Sequence, residues 1–265
     1  MNKFDYNLGV VGLGYVGLPL AVESANSKLS VLGFDTSSNR VEEINNGHSP
    51  IEDISDDELE NALNSFFSTD DPTLLSKCHH IVISVPTPLT DYQPDLSYVE
   101  AAAKSVGENL VPNQIIILES TTYPGTTLEV LIPNLEKYSS LKAGSDFYVG
   151  YSPERIDPGN EEWKFKNTPK VISGINEESL NKIKSFYEQI VDEVVVVKGT
   201  KEAEMVKLLE NTYRHVNIAL INELAMLCKM LDIDIWEVVN AAKTKPFGFQ
   251  SFKPGPGVGG HCIPV

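Results

Sequence analysis

Two nitrogen-bearing side chains stand four residues apart in the stretch EAEMVKLLENTYR, at Lys207 and Asn211. On a helix this spacing puts both side chains on one face about one turn apart, so both could address a single oxygen atom. An ammonium and a carboxamide aimed at a developing alkoxide would stabilise it, and a partly desolvated lysine can also move a proton. The alternative is a solvated helix face, the usual place for a helical lysine.

Cys262 is the residue most typical of a nucleophile. It follows Gly257, Gly259 and Gly260 in the stretch GVGGHC, where backbone N–H groups can approach a ligand. A thiol so placed attacks a carbonyl carbon once a neighbouring group takes its proton or lowers its pKa. The alternative, a small buried apolar residue, fits Cys78 and Cys228 better than Cys262. The adjacent His261 is not expected to be its base, because neighbours in an extended segment point opposite ways.

A glycine pattern near the amino terminus indicates a dinucleotide site. Gly12, Gly14 and Gly17 form G-x-G-x-x-G between a strand-like apolar run and a helical pattern. The first glycine permits a tight turn, the second lets backbone approach a pyrophosphate, and the third lets helix pack on strand. Asp35 ends the second predicted strand, where it can accept ribose hydroxyls and repel a 2′-phosphate, which favours NAD over NADP despite the nearby Arg40. The alternative is a structural turn with Asp35 as a helix cap.

Polar residues that follow three other predicted strands extend the candidate set. Thr87 follows the third strand, Ser120 and Thr121 the fourth, and Glu154 the fifth. Because open parallel sheets bind ligands at the carboxyl ends of their strands, these side chains are expected to line one rim. Each alone is a weak signal, since serine and threonine often cap helices.

The elements that must position these residues alternate between strands and helices. Helical patterns such as residues 96–110 and 126–137 lie between apolar runs, which predicts a parallel sheet covered on both faces. We therefore predict a doubly wound, Rossmann-like α/β domain over residues 1–198. Seven runs predict its strands: YNLGVV, KLSVLGFD, HHIVISVP, QIIILES, DFYVGYSP, KVISG and VVVV.

Residues 199–265 have a different pattern. Residues 201–232 contain no proline and carry apolar residues at helical spacing, which predicts one long helix. A shorter helix is expected at 235–243, before the loop that carries Cys262. The predicted fold class is thus α/β, a doubly wound parallel sheet followed by a long helix and a short helical segment.

Composition argues against several classes of partner. The formal net charge of -16 would repel nucleic acid and anionic lipid. No apolar run approaches the ~18 residues of a membrane span, and no secretory signal is recognisable, so a soluble cytoplasmic protein is expected. The 3 cysteines lack C-x-x-C spacing, which argues against a disulfide framework or a metal site.

These motifs, in order, resemble the nucleotide-sugar 6-dehydrogenases, the UDP-glucose and GDP-mannose dehydrogenase family. The resemblance spans essentially the whole chain, and GVGGHCIPV is most similar to members acting on UDP-N-acetylhexosamines for surface polysaccharide synthesis. It implies that two NAD molecules in turn accept hydride from C6 of the UDP-sugar, converting its hydroxymethyl group to a carboxylate. Cys262 would hold the aldehyde as a thiohemiacetal and then the acid as a thioester.

The resemblance also implies roles for individual residues. Lys207 and Asn211 match the family's oxyanion and proton-handling pair, Thr121 its threonine that contacts water and cofactor, and Glu154 its acidic residue beside the substrate. Further substrate contacts are expected from Arg155, Phe252 and Gly259. Cofactor contacts are expected from Gly12, Gly14, Tyr15, Val16, Gly17, Asp35, Arg40, Thr87 and Thr121.

The chain departs from the family pattern in two places. Many relatives follow the glutamate with Phe-Leu-x-Glu, whereas RIDP follows Glu154, so the second glutamate has no counterpart here. The family continues past the cysteine with an aspartate and a second α/β domain, so we expect a C-terminally truncated form with little activity of its own. The long helix, which forms the family's subunit interface, is expected to support a homodimer.

Two other functions are compatible with this pattern. A β-hydroxyacid dehydrogenase has a Rossmann domain, a long helix and a Lys-x-x-x-Asn pair, but it has no catalytic cysteine and yields one NADH per substrate rather than two. A non-catalytic module that binds cofactor and dimerises would show no turnover at all.

Overall fold

The computed structural model describes residues 4–91, 93–157, 160 and 162–255. The chain divides into two compact units, Met1–Lys207 and Leu208–Val265. Within the described residues, no helix combines the length and the apolar character needed to cross a lipid bilayer.

An eight-stranded sheet forms the centre of the described part of the first unit. Among the described residues, two further strands, β5 (Leu89–Thr90) and β6 (Gln93–Pro94), pair with each other in a separate two-stranded sheet. The strands of the large sheet are β1 (Tyr6–Val11), β2 (Val31–Phe34), β3 (Phe66–Thr69), β4 (Cys78–Ile83), β7 (Ile115–Leu118), β8 (Tyr148–Tyr151), β9 (Lys170–Gly174) and β10 (Val194–Val196).

The strand order across the large sheet is β10-β9-β8-β7-β4-β1-β2-β3. From β3 to β8 all neighbours are parallel, and β9 pairs with β8 in the antiparallel direction. The connection direction reverses between β1 and β4, which makes that pair the topological switch point, where open α/β sheets bind their ligands. The glycine turn after β1 and Thr87 after β4 flank this point.

Helices cover both faces of the sheet. Apolar residues of α1, α3 and α6 pack with the sheet in one buried cluster, and those of α4 and α5 pack in a second. The helices of the first unit are α1 (Gly17–Asn26), α2 (Ser38–Asn45), α3 (Asp56–Ala62), α4 (Ser97–Glu108), α5 (Ile132–Ser139, preceded by a π-helical turn at Thr127–Leu131) and α6 (Glu177–Tyr187).

Two helices follow the sheet in the part of the chain that the structure describes. The long helix α7 (Thr200–Met230) begins in the first unit and continues into the second, and α8 (Ile235–Ala242) lies in the second unit. Asp234 caps α8, since its side chain accepts a hydrogen bond from the Trp236 N–H. The predicted ranges of both helices agree with the structure to within two residues at each end.

The predicted fold class is confirmed, with two differences in the large sheet. β9 is antiparallel to β8, whereas an entirely parallel sheet was predicted. The apolar sequence of a buried strand does not indicate whether the strand runs parallel or antiparallel to its neighbour. β3 was not predicted at all. It has four residues at the edge of the sheet, and the exposed Phe67 interrupts its buried pattern.

Candidate active site

The turn between β1 and α1 folds closely on itself. Gly12 has φ +93°, a left-handed conformation that favours glycine. A Cβ on Gly17 would lie 1.8 Å from the carbonyl oxygen of Gly12 and 2.5 Å from Ser84 Oγ. Both glycines are therefore required by the turn itself, before any ligand is considered.

Gly14 differs from these two glycines because a Cβ added to it would meet no atom within 4 Å. Its side therefore opens onto free space rather than onto the protein. The following helix begins after Val16, which provides no side-chain cap. Leu18 and Leu20 donate their N–H groups to the carbonyls of Gly14 and Val16, and Pro19 has no N–H, so an anion would meet the N–H groups of the turn and of Gly17. The turn fits the pyrophosphate of a dinucleotide, and both Tyr15 and Val16 belong to it.

Replacing Gly14 with alanine should weaken NAD binding without unfolding the protein. The new methyl group occupies the space a pyrophosphate would take, and we expect affinity to fall by about 10-fold or more, or about 1.4 kcal/mol. Thermal unfolding should change little, since φ at Gly14 is outside the left-handed region. Gly17→Ala is the contrast and should lower the unfolding temperature. An unchanged NAD Kd in Gly14→Ala would contradict a phosphate site here.

Asp35 is buried at the end of β2 and braces the glycine turn. Its Oδ2 accepts from the Leu13 N–H at 2.9 Å and from Arg40 Nη1 at 3.1 Å, and its Oδ1 accepts from the Ser37 N–H at 3.0 Å. Ser37, not Asp35, is the N-cap of α2, so the helix-cap alternative is wrong. A carboxylate offers about four acceptor positions, which leaves one for a ribose hydroxyl.

The carboxyl ends of β4, β7 and β8 are joined by hydrogen bonds. Thr87 Oγ1 donates to the carbonyl of Thr121 at 2.6 Å, and Ser120 Oγ donates to the carbonyl of Val85 at 2.7 Å. Tyr151 OH donates to the carbonyl of Ser120 at 3.2 Å. The structure thus brings Thr87 and Thr121 together at one rim, as their positions after the strands predicted.

Glu204 holds the next part of this rim, a role that the sequence did not suggest. Its fully buried carboxylate accepts from the Gly125 N–H at 2.5 Å and from the N–H and Oγ1 of Thr127 at 2.8 and 2.7 Å. It lies one turn before Lys207 on α7. That i, i+3 spacing is the one signal in the sequence that could have pointed to it.

Lys207 is buried, with 6% of its surface exposed, and Nζ donates to the carbonyl oxygen of Glu154 at 2.6 Å. The solvated-face alternative is therefore wrong for this lysine. The Glu154 carboxylate is also buried, and its Oε1 accepts from the Arg155 and Ile156 N–H groups at 2.6 Å each. The first unit thus places an amine and a carboxylate together beyond the carboxyl end of β8.

A second buried charged group adjoins Glu154 and was also missed. Lys170 Nζ lies 3.0 Å from Glu119 Oε1 and 3.3 Å from Glu154 Oε2. Tyr187 OH donates to the same Glu119 oxygen. Charged residues in a sequence usually indicate solvent-facing positions, so no pattern pointed to this cluster.

The other predicted substrate residues are spread over both units. Arg155 is half-buried in the first unit, and its Nη1 donates to the carbonyl of Pro169 at 2.7 Å. Asn211 and Phe252 are half-buried in the second unit, where Phe252 packs edge-on against Tyr213 at 6.0 Å between ring centroids. Phe252 also lines a cavity of about 520 Å³.

Cys262 and Gly259 lie outside the residues that the structure describes. Of the other cysteines, Cys78 is fully buried at the start of β4, and burial raises the pKa of its thiol to about 12. Such a thiol stays protonated at neutral pH and is a poor nucleophile. Cys228 is half-buried on α7. Cys262 therefore remains the candidate nucleophile.

The first unit can hold a diphosphate at the β1 turn and can bind the adjoining ribose through Asp35. It also presents a buried amine and a buried carboxylate after β8. This combination suits transfer of hydride to a dinucleotide from an alcohol whose proton must be removed.

Two family profiles cover most of the chain. Residues 6–191 match the UDP-glucose/GDP-mannose dehydrogenase family, NAD binding domain, and residues 201–265 match the central domain of the same family. The predicted cofactor, NAD, is confirmed by the first match.

Individual relatives agree with these profiles. The chain is 45% identical over 267 residues to "Protein CapL" of Staphylococcus aureus, with 100% of this chain and 61% of that protein covered. It is 43% identical to the UDP-N-acetyl-D-glucosamine 6-dehydrogenase of Pseudomonas aeruginosa, covering 98% of this chain and 61% of the relative. The chain thus spans about 61% of the length of these curated relatives.

Solved structures show the same likeness. The UDP-D-ManNAc dehydrogenase from Pyrococcus horikoshii superimposes with a TM-score of 0.91 at 39% identity, over 97% of this chain and 62% of that one. The described fold and the sequence profiles therefore agree on one group of proteins.

Proposed function

The chain belongs to the UDP-glucose/GDP-mannose dehydrogenase family, and from that premise we propose that it serves the NAD-dependent oxidation of a UDP-N-acetylhexosamine at C6. The reaction converts the hydroxymethyl group, one water and two NAD⁺ into a carboxylate, two NADH and three protons. The names of two relatives support a UDP-N-acetylhexosamine as the substrate class. One is a UDP-N-acetyl-D-glucosamine 6-dehydrogenase and the other a UDP-N-acetyl-D-mannosamine dehydrogenase.

Lys207 supports this proposal more than any other residue. Its amine is buried and donates a hydrogen bond to the carbonyl of Glu154. The amine is therefore largely desolvated and held in a fixed position beyond the carboxyl end of β8. In that position it can stabilise the alkoxide that forms as the C6 hydroxyl loses its proton. We propose that Asn211, one helical turn further, serves the same oxygen.

The loops after β4 and β7 would orient the reacting groups. Thr121 is half-buried, and its carbonyl accepts from Thr87, which leaves its own hydroxyl for water or cofactor. NAD, when bound, supplies the hydride acceptor, and two are required because alcohol and carboxylate differ by four electrons. The Gly12–Gly17 turn and Asp35 would hold it.

The second oxidation requires that the aldehyde be retained. We propose that the Cys262 thiol adds to the aldehyde carbon to form a thiohemiacetal, which is oxidised to a thioester. Water then cleaves the C–S bond, releasing the carboxylate and returning the thiol. Glu154, with its fixed carboxylate, is the candidate for the proton transfers that these steps require.

We expect the chain to bind NAD in preference to NADP. The ionised Asp35 accepts from the ribose and repels a 2′-phosphate, so Asp35→Ala should weaken NAD binding by about 1.5 to 3 kcal/mol, the contribution of a hydrogen bond to a charged group. The variant also frees Arg40, which should improve NADP binding. Calorimetric titration with both cofactors measures these changes.

Ser37→Ala is the matched control for Asp35→Ala. It removes the cap of α2 and should change stability but leave NAD affinity unchanged. Equal or tighter binding of NADP by the parent chain would contradict the cofactor assignment.

The proposed activity is tested with the protein at the full length of its curated relatives. The assay follows absorbance of NADH with UDP-N-acetylglucosamine and its galacto and manno epimers, and mass spectrometry identifies the sugar product. We expect a uronic acid from at least one epimer. Turnover of small β-hydroxyacids with no turnover of any UDP-sugar would favour the hydroxyacid dehydrogenase alternative.

We also propose a homodimer formed through α7, in a cytoplasmic protein of capsular or O-antigen polysaccharide synthesis. Apolar side chains are exposed along the second-unit part of α7, which supports a helix-mediated interface. They include Leu209, Val216, Leu220, Leu224, Leu227 and Met230.

A further inference from the structure

Lys170, Glu119, Glu154 and Tyr187 form a buried cluster, here called the Lys170 cluster. The three charged residues are each less than a tenth exposed, and one ammonium faces two carboxylates. The aromatic face of Phe165 lies 5.1 Å from Lys170 Nζ on another side. The lysine is thus surrounded by groups that favour its charged form.

The cluster is unusual because burying ion pairs is costly. Removing charges from water costs several kcal/mol per ion, and a buried pair commonly contributes no more stability than apolar residues of the same size. One lysine also cannot neutralise two carboxylates. The cluster is therefore poorly explained as a device for stability.

The charge states of the cluster follow from its geometry. Burial lowers the pKa of Lys170, but attraction to Glu119 and Glu154 outweighs this effect, and its pKa is raised overall. Burial raises the pKa of Glu119, and the nearby Lys170 only partly opposes this rise. Lys170 therefore remains a cation at neutral pH.

The direction of β9 brings Lys170 to the site. Because β9 is antiparallel to β8, its first residue lies at the carboxyl end of β8, where Glu154 follows. A parallel β9 would place the same lysine at the opposite edge of the sheet. The topology thus delivers a cation to the edge that carries the candidate active site.

Glu154 connects this cation to Lys207. Its Oε2 faces Lys170, and its own carbonyl oxygen accepts from Lys207 Nζ at 2.6 Å. The N–H groups of Arg155 and Ile156 bind the remaining oxygen, Oε1. Movement of the carboxylate would therefore move the backbone that holds the Lys207 amine.

We propose that Lys170 is a positioning residue for the oxidation: held between Glu119 and Glu154, it fixes the Glu154 carboxylate and, through the carbonyl of Glu154, the Lys207 amine. The role in turnover rests on the proposed function, whereas the structural link from Lys170 to Lys207 does not. Lys170 contacts neither the β1 turn nor Asp35, so it acts on the chemistry and not on the cofactor.

The kinetic test compares Lys170→Met, Lys170→Arg and the parent at the full length of the relatives. Lys170→Met should lower kcat by about 10²-fold, the loss that a small misplacement of a catalytic group produces. NAD Kd should be unchanged, and Lys170→Arg, which retains the cation, should recover most of kcat. Lys184→Met is the matched control, since it removes an exposed lysine paired with Glu188 on α6.

A second measurement does not depend on activity. The chain is treated briefly with a small amine-acylating reagent, and mass spectrometry measures the rate of Lys207 modification. Because Lys207 is buried and hydrogen-bonded, its modification should be slow in the parent, severalfold faster in Lys170→Met, and close to the parental rate in Lys170→Arg and Lys184→Met.

These results separate the link from the function. Fast Lys207 modification in Lys170→Met would support the link even if no UDP-sugar is oxidised by the parent, in which case only the proposed function fails. Parental Lys207 reactivity and kcat in Lys170→Met would overturn the proposal. It would also be overturned if NAD binding fell as much as kcat and Lys170→Arg failed to restore either, since Lys170 would then serve folding alone.

Discussion

Replacing Lys207 with alanine should lower kcat by about 10²-fold or more, as the loss of a single donor to a developing oxyanion does in comparable sites. Both hydride transfers should slow, because each passes through an oxyanion at C6. The NAD Kd should be unchanged, since the glycine turn and Asp35 lie on other elements of the fold. Steady-state kinetics with UDP-sugar, together with titration of NAD, measures the two effects separately.

Lys201→Ala is the matched control for this variant. Lys201 lies in the first turn of the same helix, is about half exposed, and pairs with Glu129 at 3.2 Å on the surface. Its removal should leave kcat unchanged, because surface ion pairs contribute little. Equal kcat in Lys207→Ala and the parent would remove Lys207 from the chemistry.

Replacing Cys262 with serine should stop the reaction after its first oxidation. A hydroxyl does not retain the aldehyde as a reactive adduct in the way a thiolate does, so at most about one NADH should form per sugar. The first hydride transfer requires no thiol and should proceed. The aldehyde itself can be trapped with a hydrazine reagent and identified by mass spectrometry.

Cys228→Ser provides the control, since Cys228 is a half-buried residue of α7 and should leave the yield of NADH unaltered. If Cys262→Ser gives the parental yield at the parental rate, the thiol has a structural role only. Lys207→Ala and Cys262→Ser therefore distinguish two roles, because Lys207→Ala slows both hydride transfers whereas Cys262→Ser prevents the second one.

Local patterns in the sequence identified the parts of the fold that depend on neighbouring residues. Gly12 and Gly17 stand out because the turn leaves no room for a side chain, and Gly14 stands out because a pyrophosphate would approach its backbone closely. The apolar runs predicted the strands, and the proline-free stretch of α7 predicted that helix, because these patterns also depend on neighbouring residues. Burial of the β strands on both faces made their sequences almost continuously apolar.

The direction of β9 could not be predicted from the sequence, because parallel and antiparallel strands bury the same residue types. Its consequence is large, since that direction places Lys170 at the edge of the sheet that carries Glu154. The short β3 was missed for a different reason, as four residues are too few to show a period.

Glu119, Lys170 and Glu204 were missed because each is a charged residue that is buried only through contacts far away in the chain. Lys170 meets Glu119 across 51 positions of sequence and Glu204 meets Gly125 across 79. Propensity and periodicity are local measures and carry no information about such pairs. Spacing, position after a strand and resemblance to the family singled out Glu154 and Lys207 as candidates but gave no reason to examine the residues that hold them.

The proposed reaction carries an alcohol through two oxidations to a carboxylate. Its most direct test is to count NADH formed per UDP-N-acetylhexosamine consumed, with limiting sugar, excess NAD and the protein at the full length of its curated relatives. We expect two NADH per sugar and a uronic acid as the product. One NADH per sugar, with an aldehyde or ketone as the final product, would contradict it and favour the single oxidation of a hydroxyacid-type dehydrogenase.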